Sequence, residues 1–130
     1  MRRNIEITTS AYDKPYITNC LYEDSEAFFK LKWKQIHDGE TRETVYDLCV
    51  DKASGIATIK RRGEIESILT FDTSQKTKGI FTTPYGRITI DIVTLCINMP
   101  SVLTNCFRLE YDICHDDGNR ERNIFSVRLI

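Results

Sequence analysis

The chain has 130 residues, 41% hydrophobic and 28% charged, and its 18 basic residues stand against 19 acidic ones for a formal net charge of -1. That length fits one domain, expected over 1–130, which can bury about two thirds of its unfolded surface. The balanced charge excludes the strong positive field that draws a protein to nucleic acid or to an anionic membrane, so neither is expected as a partner.

Met1 to Ile7 lacks the apolar core of a secretory leader, and no run approaches the length of a membrane span, so a cytoplasmic location is the expectation. The five cysteines (Cys20, Cys49, Cys96, Cys106, Cys114) are odd in number, irregularly spaced and without a Cys-x-x-Cys pair. They read as reduced, mostly buried small hydrophobes rather than a disulfide framework or a metal site.

Period-two alternation dominates the chain. The predicted strands, in order, are 3–11, 16–23, 26–36, 41–51, 56–62, 64–72, 77–83, 86–97, 102–114 and 121–130. In the third, Phe29, Leu31 and Trp33 alternate with Lys30, Lys32 and Lys34. The sixth sets Leu69 and Phe71 against Glu66, Thr70 and Asp72. The eighth, Ile88, Ile90 and Ile92, alternates with Arg87, Thr89 and Asp91. In the ninth, Phe107, Leu109, Tyr111 and Ile113 alternate with Arg108, Glu110 and Asp112, and the last places Phe125, Val127 and Leu129 on one face. Successive side chains of a strand point to opposite faces, so each segment has a wet face and a core face.

Reversals separate these runs at Asp13-Lys-Pro15, His37-Asp-Gly39, Ala53-Ser-Gly55, Arg62-Gly63, Pro84-Tyr-Gly86 and Asp116-Asp-Gly-Asn119. One short helical turn is expected near Asp72–Gln75. Many antiparallel strands joined by short turns can close into a barrel or split into a sandwich. Consecutive hairpins favour an up-and-down barrel of eight to ten strands, because closure removes exposed edges.

Three stretches, Ile56-Ala-Thr-Ile-Lys-Arg-Arg-Gly63, Ser67-Ile-Leu-Thr-Phe71 and Phe81-Thr-Thr-Pro-Tyr-Gly86, carry a family likeness. A strand ends in Arg-Gly, the next ends in Phe, and a Thr-Pro-Tyr-Gly turn precedes another strand. In this the chain resembles the YwiB-like family of uncharacterised bacterial proteins, well over residues 40–130 and weakly before them. The resemblance implies a calycin-like (lipocalin-like) antiparallel barrel of unknown function and offers no catalytic residues to carry over. Trp33 is not preceded by the Gly-x-Trp motif of lipocalins, which speaks against extracellular lipid carriage.

The candidate site follows from the alternation. Trp33, Phe71, Phe107 and Tyr111 face inward and suit the wall of a cavity for a small, partly apolar ligand, although a packed core would need the same residues. Arg61 lies on the opposite face from Lys60 and Arg62, where its planar fork can hold a carboxylate or phosphate. The alternative is a solvated strand end, or an arginine stacked on Trp33 or a tyrosine and paired with a carboxylate such as Glu64. Tyr85, in the Pro-Tyr-Gly turn, would offer a hydroxyl at the barrel rim. His37 and His115 sit in acidic turns, too far from further ligands in sequence to suggest zinc.

The expected function is therefore a non-enzymatic binding module for a small, partly apolar and in one form anionic ligand, with no cofactor. Its alternative is a filled barrel acting through an outer face or as a homodimer. The first expects a ligand-sized void; the second expects none, and an exposed patch near Val45, Cys49 or Phe28.

Overall fold

In a computed structural model that describes all 130 residues, ten strands form one closed antiparallel barrel. They are β1 (Arg2–Thr9), β2 (Tyr16–Asp24), β3 (Phe28–Gln35), β4 (Thr44–Asp51), β5 (Ala57–Arg62), β6 (Glu66–Phe71), β7 (Thr77–Thr83), β8 (Gly86–Asn98), β9 (Cys106–Cys114) and β10 (Arg120–Leu129). Each strand pairs with its sequence neighbours, and β1 closes the ring against β10 in the register Ile5↔Leu129 to Thr9↔Phe125. All ten predicted strands are present. Several are trimmed at their ends: β4 begins at Thr44 rather than 41, and β9 at Cys106 rather than 102.

The strand ends trim where turn chemistry competes. Asn105 adopts a positive φ of 47°, a conformation asparagine tolerates, and it ends the loop before β9. Asp72–Gln75 is a turn and not a helix. Its Asp72 carboxylate accepts from the Ser74 backbone N–H at 2.9 Å and from Ser74 Oγ at 2.7 Å, so the side chain holds the reversal without helical bonds.

Sixteen hydrophobic residues form the core, among them Ile5, Phe29, Leu31, Leu48, Phe71, Ile92, Phe107, Leu109 and Val127. Rings from distant strands meet across the interior: Phe29 of β3 lies 6.0 Å from Phe107 of β9, and Phe71 of β6 lies 4.8 Å from Tyr111 of β9. The opposing walls therefore collapse onto each other and interior side chains occupy the space between them. The five principal hollows lie on the outer face or at the two ends of the barrel.

Two departures from simple alternation let the walls close. Gly79 of β7 sits beneath Leu69, Ile90 and Ile92, where an added Cβ would stand 2.6 Å from Leu69 Cδ2. A register shift between Thr94 and Cys96 in β8 moves the inward face from even to odd positions, so that Ile97 comes opposite Leu109.

Candidate functional site

Strand direction gathers the loops 10–15, 36–43, 63–65, 84–85 and 115–119 at one end of the barrel. The most developed polar-aromatic cluster lies here. It starts from one cross-strand row, Cys20↔Trp33↔Tyr46↔Arg61↔Ser67↔Phe81, whose side chains all point inward. Trp33 stacks on Tyr46 with ring centroids 5.2 Å apart, and the Arg61 guanidinium lies 5.8 Å from the Tyr46 ring centroid. On its other side Trp33 meets Phe125 at 6.2 Å.

The loop between β3 and β4 completes the cluster. Glu40 accepts from Arg61 at 3.3 Å and from Thr44 Oγ1 at 3.4 Å. His37 Nε2 lies 2.6 Å from the Tyr46 hydroxyl and His37 Nδ1 lies 3.3 Å from the Tyr12 hydroxyl. Burial pushes the Tyr46 phenol up to about 12, against the opposing pull of Arg61. Tyr46 therefore stays protonated, and the neutral His37 ring accepts at one nitrogen and donates at the other, bridging the Tyr46 and Tyr12 hydroxyls in an order set by its tautomer. Burial, aided by the Arg61 charge, holds His37 below its ordinary value and favours this neutral form.

Two buried donors here have no partner: Arg61 Nε and Trp33 Nε1. Trp33 is only 2% exposed, and an unmade bond at such depth costs free energy unless something supplies the acceptor. They flank opposite sides of the Tyr46 ring.

The six residues marked out in the sequence do not form one constellation. Trp33 and Arg61 share the row just described. Phe107 connects to Trp33 through Phe125, which it meets at 6.4 Å. Phe71 and Tyr111 pair with each other deeper in the core, where burial and the charge of Glu121 raise the Tyr111 phenol. Tyr85 stands 99% exposed at the tip of the β7–β8 turn, apart from the rest. Tyr46, His37, Glu40 and Tyr12 were not marked. Tyr46 had a readable signal, since it faces in from β4, but the loop residues converge only through the fold. No group of three or more His, Cys, Asp or Glu side chains converges as a metal ion would require.

Outside the barrel the sequence anticipated a wet face, and on β9 it holds a buried charge. Asp112 is 4% exposed, covered by Arg122 at 2.5 Å and Arg120 at 3.7 Å, while Glu110 takes a second bond from Arg122 at 3.2 Å. The lysine stripe of β3 borders the largest hollow, about 760 Å³, with Leu21, Cys49 and Lys60.

A closed meander of ten strands with an aromatic-arginine row at one end defines an all-β barrel protein. The sequence matches the domain of unknown function (DUF1934) over residues 15–124, and the chain belongs to that family. Among solved structures it is similar to the YwiB protein of Bacillus subtilis, at 13% identity and a TM-score of 0.65, with 99% of this chain and 90% of that one covered. At that identity the likeness establishes the fold alone. No curated protein matches the sequence.

Proposed function

We propose that the protein is a non-enzymatic binding module that takes a small, partly apolar ligand with an anionic group at the His37 end of the barrel. The observation that carries this reading is Arg61, which faces inward among aromatic rings and keeps its buried Nε without an acceptor. Its terminal nitrogen is held by Glu40, a carboxylate on a loop and not on a strand. Glu40 then stands in for the ligand's own carboxylate or phosphate. A ligand would displace it, take its place on the guanidinium at the edge of the aromatic row and present a second acceptor to Nε.

Native mass spectrometry of gently purified protein, before and after denaturation, tests the reading. A small mass that is retained by the wild type and lost in Arg61→Gln supports it. A bare monomer in both cases overturns it.

A second reading rests on the packed interior: the barrel is filled and acts through its outer face or as a homodimer. Phe28 is exposed on that face, and Cys49 lines the large outer hollow. A bare dimer in the same experiment favours this reading.

A further inference from the structure

A closed barrel has no free edges, yet this one leaves a ladder unfinished. The β2–β3 pairing runs from Asp24↔Phe29 to Cys20↔Trp33 and stops there. β2 continues back to Tyr16 and β3 continues on to Gln35. Tyr16, Ile17 and Thr18 keep their β1 partners on one side, and Lys34 and Gln35 keep Val45 and Thr44 on the other. Between the two strands the barrel is unzipped.

Two hollows meet at this seam and share Tyr16, Gln35 and Ile36. One, of about 330 Å³, lies along the ladder's end and is lined by Arg2, Thr18, Lys32, Trp33 and Lys34 among others. The second, of about 540 Å³, opens toward the loops at Tyr12 and His37. A single side chain bridges the gap: the Ile36 backbone N–H donates to the Tyr16 hydroxyl at 3.4 Å, where a strand carbonyl would otherwise accept. Beside it Trp33, nine-tenths buried and more, has an indole N–H with no partner.

We propose that this seam is a docking site for an extended, acidic segment of a partner polypeptide, which adds a short strand between β2 and β3. A strand presents alternating N–H and C=O groups, the complement of what an unpaired ladder exposes, and such pairing supplies affinity through main-chain bonds. The incoming carbonyl takes over the Ile36 N–H from the Tyr16 hydroxyl. Inward side chains of the new strand meet Tyr16 and Trp33, while Ile17 and Ile36 rim the outer face. Charge acts on that same outer face. Arg2, Lys32 and Lys34 line the cleft against Glu43 alone, and no carboxylate lies within ion-pair reach of either lysine. Lysines at an unpaired edge also discourage indiscriminate strand pairing, which leaves room for an acidic partner.

The test uses the full chain and an acetylated, amidated hexapeptide of alternating glutamate and valine. Trp33, the only tryptophan, lines the cleft and reports occupancy by its emission. The expected result is a saturable emission change, with slowed amide exchange confined to residues 16–18 and 34–36. The same peptide methylated on alternate backbone nitrogens should bind about tenfold more weakly, because it forfeits a ladder bond. Tyr16→Phe, with an unchanged circular dichroism spectrum, should bind the unmethylated peptide more tightly, since Ile36 N–H then has no internal acceptor. Three results overturn the proposal: no binding, equal binding of the methylated peptide, or exchange protection that maps instead to the Lys30–Lys60 groove.

Discussion

At the scale of single residues, the end cluster turns on the protonation of His37. Its folded value lies below the ordinary imidazole value near 6.5, so the unfolded chain binds the proton more readily. The stability contributed is therefore complete above about pH 6.5 and is lost as pH falls through the depressed folded value. A protonated ring has two donors, so at Nε2 it must donate to the Tyr46 oxygen, and it places a half-buried charge beside Arg61, which loosens the hold of the loop on β4. The amide protection factors of residues 36–43, corrected for the slower intrinsic exchange at lower pH, should fall as pH drops below about 6.5, and His37→Gln should flatten that dependence. A dependence that survives the substitution would assign it to another group. Gly79 makes the second prediction at this scale. An alanine Cβ there would overlap Leu69 and press on Ile90 and Ile92 of the neighbouring strands, the last a core residue and the other two packed against the core. Gly79→Ala should cost about 1–3 kcal/mol in a denaturant melt, the cost of overpacking, although alanine is ordinarily better than glycine inside a strand. A neutral or stabilising result would mean that the β6–β8 wall yields.

At the scale of elements, β9 and β10 show why alternation is a partial guide. Period two assigns Asp112 to the outer face correctly, yet it does not say that Arg120 and Arg122 fold over it from the next strand. Which residues lie opposite one another depends on register, and register is fixed by turn length and bulges that the pattern of one strand does not contain. Both arginines are half exposed, so the pair is worth less than its depth suggests. Asp112→Ala should lower stability by about 1 kcal/mol, and a double-mutant cycle with Arg122→Ala should recover most of that as coupling. Zero coupling would reduce the pair to a surface contact. The bulge in β8 has a sequence trace: inward residues run Ile88, Ile90, Ile92, Thr94 and then resume at Ile97, a slip of phase in the alternation. The candidate site was less legible. Trp33, Tyr46 and Arg61 could be assigned to inward faces one strand at a time. Glu40, His37 and Tyr12, however, come from irregular loops whose path no periodicity describes. Gly79 was equally silent, because a missing side chain shows its role only when the neighbouring walls are in place.

At the scale of the whole molecule, the barrel is a ring in which nine ladders join sequence neighbours and one, β1 with β10, joins the ends. That arrangement was legible because six of the nine connections carry a turn signal of their own and no long crossover interrupts the series. It also makes the position of the termini physically arbitrary. Met1 and Ile130 lie at the same end: the Tyr22 N–H donates to the Met1 carbonyl at 2.7 Å, and the Ile130 N–H to the Asn4 carbonyl at 2.9 Å. The β8–β9 loop emerges at that end too, with Val102 98% and Leu103 95% exposed. A circular permutant that joins the old termini by a short glycine-serine linker and opens between Val102 and Leu103 converts β1–β10 into a hairpin. It makes β8–β9 the one ladder that must close across the chain. The core of sixteen hydrophobic residues is unchanged by the cut, and exposed loop tips tolerate new termini. The permutant should therefore melt cooperatively within a few degrees of the wild type, with the same β-rich circular dichroism spectrum. The phase slip at Thr94–Cys96 lies within β8, in the ladder that the β8–β9 loop closes, so the experiment also asks what sets that register. If the ring's hydrophobic pattern sets it, the permutant folds. If the covalent loop does, the permutant collapses without a cooperative transition, and β8–β9 is the hairpin from which the rest of the meander is built.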